Sequence, residues 1–325
     1  MKKNIAVVAG GDSSEYEISL QTASHIIETL RGDQYTPYLV IIDGPIWIVK
    51  QDDKTYTVDR NDFSFNTEKG KILFDFAYIA IHGTPGENGV LQGYFELLRI
   101  PHSTCNVLSS ALSFNKHACN TYLKALGYTF ARSILLKKNS GYNVQHIIQE
   151  VGLPCFVKPN DTGSSFGITK VKEASQMDLA IKNAFLESNE VIIEEFIQGV
   201  ELTCGLVKTK EQEIIFPITE VIPKKEFFDY EAKYDPSMSE EITPARISQE
   251  LAQRVQALSS EIYDALKCKG IVRIDYIIRD QEIFMLEANT VPGMTANSFI
   301  PKQVKSMNRD LGEILSLVIE DAYKQ

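Results

Sequence analysis

The sequence predicts a parallel α/β unit over roughly the first 100 residues, followed by α+β structure to the end. Three observations predict it. Short apolar runs separated by a helical stretch open the chain. Short strands alternate with helices from Phe130 onward. Beyond Val191 several β-rich runs surround one long amphipathic helix.

Residues 5–9 form an apolar run ending in Gly10-Gly11, the pattern of a buried parallel strand closed by a tight turn. Ser14 and Glu17 have the spacing of a capping box, which predicts a helix with Ile18, Ile26, Ile27 and Leu30 on its apolar side. Residues 39–42 and 76–81 read as further buried strands, and 116–126 as a helix ending at Gly127. Strands at 133–136, 155–158 and 167–171 alternate with helices at 144–151 and 176–186. The later runs are 191–196, 201–208, 214–219, 270–278 and 283–289. Between them Leu251, Val255, Leu258, Ile262 and Leu266 fall on one helical face. The stretch 224–246 is polar and aperiodic, which reads as a lid or as disorder.

Composition bounds the function. The chain has 325 residues, 44% hydrophobic and 23% charged, and a formal charge of -10. That size allows two or three domains. The acidic balance argues against a general nucleic-acid or anionic-membrane binder, yet it permits phosphate binding by a few local groups. Cys105, Cys119, Cys155, Cys204 and Cys268 are scattered without a C-x-x-C pair, which predicts reduced, mostly buried thiols of a cytoplasmic protein. The apolar run at 5–9 is too short for a signal peptide, and no stretch approaches the ~20 apolar residues of a membrane helix.

Four constellations carry chemistry. In Arg273-Ile274-Asp275 and Glu287-Ala288-Asn289 the polar residues alternate at the period of a strand, and only a short turn separates the two runs. A hairpin would bring Asp275, Glu287 and Asn289 to one sheet face, an oxygen-only set suited to Mg²⁺; a polar face carrying an ion pair is the alternative. Lys158 is followed by a loop through Gly167 that includes Gly163, Ser164 and Ser165, which could cradle phosphate or be a plain hairpin. Glu194, Glu195, Phe196 and Ile197 end an apolar strand that could offer an edge to adenine, with Glu201 near a ribose, or could be an ordinary edge strand. Gly10-Gly11 with Glu15, and His82 with the glycine-rich run after it, follow buried strands where α/β proteins bind ligands. Glu15 could meet a substrate ammonium, or be a dipole-favoured residue of a first helical turn.

Taken together, residues 10–20, 82–93, 158–167, 229–234, 273–275 and 287–298 resemble, in order and spacing, the D-alanine–D-alanine ligases of the ATP-grasp superfamily. The run Leu286-Glu287-Ala288-Asn289-Thr290-Val291-Pro292-Gly293-Met294-Thr295 is its most specific part. The resemblance implies an ATP-grasp fold preceded by a Rossmann-like parallel α/β domain: residues 1–104, then a central domain at 105–193, then a C-terminal domain at 194–325 with its lid at 224–246. It implies ATP as co-substrate and two Mg²⁺ ions, replaceable by Mn²⁺, on Asp275, Glu287 and Asn289. Lys116, Lys158 and Ser165 would contact ATP, with Glu194, Glu195, Phe196 and Ile197 at the adenine and Glu201 at the ribose. Arg273 and the Gly293 backbone would stabilise an oxyanion. Lys233 would reach the γ-phosphate, while His82, Ser298 and the Phe299 amide would hold substrate. Glu15, Ser164 and Tyr234 would form a linking hydrogen-bonded trio. A homodimer is also implied.

Asn88, Thr84, Glu195 and Phe299 stand where the family more often has aspartate, arginine, lysine and leucine. None of these removes a metal ligand or a phosphate lysine. The expected reaction is ATP-dependent joining of two D-alanines through an acyl phosphate, for peptidoglycan precursors. Tyr234 in place of Phe favours dipeptide over D-alanyl-D-lactate. A D-alanine–D-lactate ligase or another ATP-grasp carboxylate–amine ligase is the nearest rival. A nicotinamide-dependent oxidoreductase is disfavoured because the first turn lacks G-x-G-x-x-G. A non-catalytic nucleotide-binding regulator is disfavoured by the intact Lys158, Asp275, Glu287 and Asn289.

Overall fold

The computed structural model of the chain describes residues 2–30, 32–51, 53–163, 167–223 and 239–324. Among the described residues the strands form sheets of seven, four and six strands.

The first sheet contains β1 (Lys3–Gly10), β2 (Tyr35–Asp43), β3 (Ile46–Gln51), β4 (Lys54–Asp59), β5 (Ser64–Thr67), β6 (Gly70–Leu73) and β7 (Phe76–Ile79), with α1 (Tyr16–Leu30) after β1. Its order is β6-β5-β4-β3-β2-β1-β7. The three strands expected from the sequence, β1, β2 and β7, pair in parallel, and β3 to β6 extend the sheet antiparallel. The added strands at 46–73 follow one another through tight turns, and such short connections join only antiparallel neighbours. Their burial alternates weakly, whereas β1 is buried from Ile5 through Gly10 as a central strand must be.

The turn after β1 also departs from expectation. The helix begins at Tyr16, and Ser13 rather than Ser14 organises its entry. The Ser13 hydroxyl accepts from Glu15 N and donates to the His82 carbonyl. Ser19 on α1 accepts from Gly10 N at 2.9 Å and donates to the Ala80 carbonyl at 2.8 Å, tying the C-terminal ends of β1 and β7 together. Gly10 has φ 96, and a Cβ there would lie 2.4 Å from the Ile42 carbonyl oxygen. Glycine is therefore required where strand ends converge.

Helices α2 (Val90–Leu98), α3 (Val107–Phe114) and α4 (Lys116–Ala125) lead out of this sheet, the last two capped by the Asn106 and Asn115 side chains. Between α2 and α3, His102 bridges Ala77 and packs its ring on Phe95. Burial, with the Lys269 charge adding, pushes His102 down to about 4. The native state thus keeps it neutral while an unfolded histidine protonates near its ordinary ~6.5. Stability tied to this ring is intact above about pH 6.5 and is lost as pH falls toward 4. Between about pH 7 and 4.5, urea unfolding of His102→Phe is expected to lose roughly 1–2 kcal/mol less stability than the unaltered protein. An equal loss in both would contradict this assignment.

The second sheet, β10-β9-β11-β8, is antiparallel and comprises β8 (Ser133–Lys137), β9 (Cys155–Pro159), β10 (Thr169–Val171) and β11 (Glu190–Glu195). Helices α5 (Val144–Val151) and α6 (Met177–Glu187) bury Ile147, Val151, Ile181 and Ala184 against Val157, Val191 and Ile193. The opposite face of β9 and β11 presents Lys158 and Glu194.

The third sheet holds β12 (Val200–Lys208), β13 (Glu213–Ile215), β14 (Thr219–Pro223), β15 (Ser239–Ile242), β16 (Gly270–Arg279) and β17 (Glu282–Asn289). The run expected at 214–219 is two strands, because Pro217 has no N–H to continue the ladder. One face carries α7 (Gln249–Ala265), whose Ser248 cap accepts from Leu251 N and whose Leu251, Val255 and Ile262 are buried. The other carries α8 (Phe299–Ser306) and α9 (Leu311–Ala322). A single core cluster joins Ile5, Ile26, Phe216, Ile300 and Ile314, so the first and third sheets share a core through α1, α8 and α9. All five cysteines are buried and free. Among the described residues no helix is long and apolar enough to cross a membrane.

Candidate active site

The β16–β17 hairpin turns through Asp280 and Gln281, both with positive φ, as a tight hairpin turn demands. Its register sets Arg273 opposite Asn289 and Asp275 opposite Glu287, so all four side chains share one face. A bulge follows at Asp275/Tyr276, re-aiming the strand beside the site. Arg273 grips Asp275 with a bidentate fork, Nε to Oδ1 at 2.9 Å and Nη2 to Oδ2 at 2.8 Å. Thr203 Oγ1 on β12 donates to Oδ1 at 2.5 Å, and Asn289 Nδ2 donates to Oδ2 at 3.0 Å. Burial works against the Arg273 charge, but Asp275 outweighs it and raises the guanidinium pKa further.

Facing this hairpin is the polar face of β9 and β11. Lys158 Nζ lies 2.7 Å from Glu194 Oε2, and Asn120 Nδ2 on α4 donates to Glu194 Oε1 at 3.1 Å. Burial alone would depress Lys158, but Glu194 outweighs it and holds the lysine above its ordinary value. Lys116 donates to the Thr162 carbonyl at 2.7 Å; burial lowers its pKa, with Glu287 pulling the other way. Lys116, Thr162, Gly163, Glu287 and Asn289 line a cavity of about 40 Å³ together with Glu87. Glu201, at the start of β12, is pushed up to about 8, mainly by burial and next by the Asp275 and Glu287 charges. The Asp275 and Glu287 charges thus bear on Glu201 in one groove, while among the described residues no three His, Cys, Asp or Glu side chains are grouped closely enough to hold a metal ion between them.

A larger cavity of about 310 Å³ adjoins it, lined among others by Glu15, His82, Glu87, Arg273, Gly293 and Ser298. Glu87 borders both spaces. His82 is buried: Nδ1 donates to the Val291 carbonyl at 3.1 Å, which leaves Nε2 to accept from the Thr22 hydroxyl at 3.3 Å. His25 likewise donates from Nδ1 to the Met294 carbonyl. Two histidines therefore pin the 291–294 loop to the first sheet and α1. A Cβ on Gly293 would lie 2.8 Å from Ser298 Oγ, so this backbone comes as close to Ser298 as only glycine permits. Ser298 Oγ is 2.8 Å from Thr295 Oγ1. Buried Glu15 reaches toward the loop after β9, its Oε2 3.3 Å from where a Gly163 Cβ would sit.

The profile of the D-ala D-ala ligase N-terminus matches residues 4–105, and that of the D-ala D-ala ligase C-terminus matches residues 123–320. A D-alanine--D-alanine ligase of Bacteroides fragilis is 52% identical over 325 residues, covering 99% of this chain and all of the relative. The chain belongs to the D-alanine–D-alanine ligase family. As a member of that family it is an ATP-dependent ligase with the ATP-grasp fold. Among solved structures, D-alanyl-alanine synthetase A of Vibrio cholerae superposes with TM-score 0.88 at 29% identity, covering 99% of each chain. The VanG D-Ala:D-Ser ligase of Enterococcus faecalis superposes with TM-score 0.85 at 32% identity, covering 99% of this chain and 100% of that one.

Of the positions the family resemblance singled out, Lys116, Glu287 and Asn289 line the smaller cavity, and Glu15, His82, Arg273, Asn289, Gly293, Ser298 and Phe299 line the larger. Asp275 is bonded to Arg273 and Asn289 beside them, and Lys158 is paired with Glu194. Ser164, Ser165, Lys233 and Tyr234 lie outside the described residues, as does 224–238 of the expected lid; its remainder opens with β15. Two side chains of the stretch expected at adenine are held in ion pairs. Glu194 is occupied by Lys158 and Asn120, and Glu195 pairs with Arg132 at 2.8 Å and Arg279 at 3.6 Å. The Glu195 and Phe196 N–H groups donate to the Arg132 and Pro154 carbonyls. Sequence reasoning missed Asn120, Thr203 and Glu87. Glu87 stood in the glycine-rich run after His82 and could have been found there. Nothing local marks Thr203, whose direction depends on register with β16.

Proposed function

We propose that the chain joins two D-alanines to D-alanyl-D-alanine at the junction of these two cavities, releasing ADP and phosphate for peptidoglycan precursor synthesis. The observation that supports the reading is that Glu287 and Asn289 share a small cavity with Lys116, while Asn289 also borders the larger cavity of Arg273, Gly293 and Ser298. The 1–104, 105–193 and 194–325 division, a homodimer and a cytoplasmic location belong to the same reading, carried by the family resemblance.

A carboxylate resists attack because oxide is a poor leaving group, so the γ-phosphoryl of ATP is first transferred to the carboxylate of one D-alanine. This brings two anions together. Lys116 and Lys158 supply positive charge from the β9 side. Asp275, Glu287 and Asn289 are an oxygen-only donor set and would hold Mg²⁺, which when bound neutralises phosphoryl oxygens. The second D-alanine, its amine neutral, then attacks the acyl carbon, the C–N bond forms and phosphate departs. Arg273 and the Gly293 N–H are placed to receive the tetrahedral oxyanion, and one such donor is typically worth ~3 kcal/mol. The Phe299 ring packs 5.3 Å from the Arg273 guanidinium and helps fix it. Glu201 stands beside this groove, where a ribose hydroxyl would meet its carboxyl, and Ile197 is buried at the expected adenine edge.

The test is ADP release by the purified protein with ATP and Mg²⁺, given D-alanine, L-alanine and D-lactate singly and in pairs. Release is expected with D-alanine alone. With D-alanine and D-lactate together at neutral pH, dipeptide is expected to predominate. Predominant depsipeptide, or ADP release with L-alanine only, would refute the reading.

A further inference from the structure

The larger cavity holds an ion pair that none of the roles above uses. Lys302, three residues into α8 from Phe299, places Nζ 2.8 Å from Glu241 Oε2 on β15, and both line the cavity wall with Ser298 and Phe299. Their side chains are 39% and 18% exposed, and an ion pair that accessible adds little to folding stability. The charge census of the wall gives the pair a different meaning. Among the described residues of the wall, Glu15, Glu87 and Glu241 are acids and Arg273 and Lys302 are the strong bases. Arg273 commits Nε and Nη2 to Asp275. An amino acid that must attack through a neutral amine carries a net negative charge from its carboxylate. That charge favours a cation within reach, and Lys302 brings one to the wall beside Ser298.

We propose that Lys302 is a specificity-determining residue for the second amino acid: its ammonium, oriented by Glu241, is the positive charge that the incoming carboxylate meets beside Ser298. This rests on the reading that the second substrate lies at Ser298. The position suits the role. A residue three places after Phe299 returns to the same side of the helix, so Lys302 and the start of α8 face one space. Ser298 is the N-cap of α8 but makes no side-chain cap hydrogen bond, and its hydroxyl is instead 2.8 Å from Thr295 Oγ1. The four-carbon stem is flexible, and Glu241 confines it.

The experiment is the rate of ADP release against D-alanine concentration, fitted with separate KM values for the first and second amino acid. Lys302→Met is expected to raise the second KM about tenfold, equivalent to ~1.4 kcal/mol, with the first KM and the KM for ATP changed less than about twofold. Lys302→Arg is expected to keep the second KM within about threefold of the unaltered value. Glu241→Gln combined with Lys302→Met removes the uncompensated carboxylate and is expected to lower the second KM relative to Lys302→Met alone. An unchanged second KM in Lys302→Met, an equal rise in both KM values, or failure of arginine to rescue would overturn the proposal. Ser298→Ala separates the two layers. If it raises the second KM while Lys302→Met does not, only the lysine proposal fails. If neither moves it, the placement of the second substrate fails as well.

Discussion

Glu287→Ala is expected to lower kcat at least about a thousandfold, roughly 4 kcal/mol of barrier, in the presence of ATP and Mg²⁺. Folding should be nearly unaffected, with Tm moving by no more than about 4 °C. The two effects separate because of where Glu287 sits. It is partly exposed, faces Asp275 across the hairpin and contributes to the unfavourable charge on Glu201. Its removal exchanges repulsion with Glu201 for lost attraction to Lys116, Lys158 and Arg273, opposing effects on folding, while it takes an oxygen donor from the site. Asp275→Ala differs: it abolishes turnover and also strands Arg273, which is 7% exposed and bonded to Asp275 by two N–H groups. Breaking such a buried pair typically costs about 3–5 kcal/mol. Rates from a coupled ADP assay and thermal melts of both variants check the contrast. Retained turnover in Glu287→Ala would refute the donor assignment.

Arg273→Lys is expected to reduce kcat about 10²–10³-fold while preserving the charge at this position. Lysine is a point charge on a flexible stem and cannot make the two parallel bonds that fix the guanidinium against Asp275. The planar stacking over Phe299 is lost with the fork. A donor that must be aimed before the oxyanion develops is then only intermittently in place. The KM for ATP should change little, since the phosphate-side lysines Lys116 and Lys158 are untouched. If kcat stays within about threefold, the oxyanion role belongs elsewhere.

The hairpin was legible in the sequence because its signal is local. Period-two alternation in 273–275 and 287–289, with a short turn between, determines which side chains share a face before any tertiary contact is known. Gly10-Gly11 and the buried run before it marked the first crossover for the same reason. The four antiparallel strands at 46–73 went unread, since they alternate weakly and their apolar partners, such as Phe63, Phe65 and Phe74, meet only once the sheet has curled. The helix begins at Tyr16, and the entry is shaped by Ser13, whose hydroxyl donates to the His82 carbonyl some seventy residues away. The same limit hid Thr203 and Asn120, whose roles come from register and helix placement. Nothing local marks the pairing of Glu195, whose N–H bonds the Arg132 carbonyl and whose side chain pairs with Arg132 and Arg279. Lys302 and Glu241 illustrate the most distant kind of information: 61 residues apart, they meet only after β15 and α8 have packed on one cavity.

The claim on which the account turns is that a triphosphate and its divalent cation lie between the β16–β17 hairpin and the lysines of β9 and α4. Crystals grown with Mn²⁺ and a non-hydrolysable ATP analogue, measured for anomalous scattering, test it most directly. The expected result is a manganese peak within bonding reach of Asp275, Glu287 and Asn289 oxygens, with the terminal phosphate toward Lys116 and Lys158. A peak away from those three residues, or a nucleotide seated outside that groove, would contradict it.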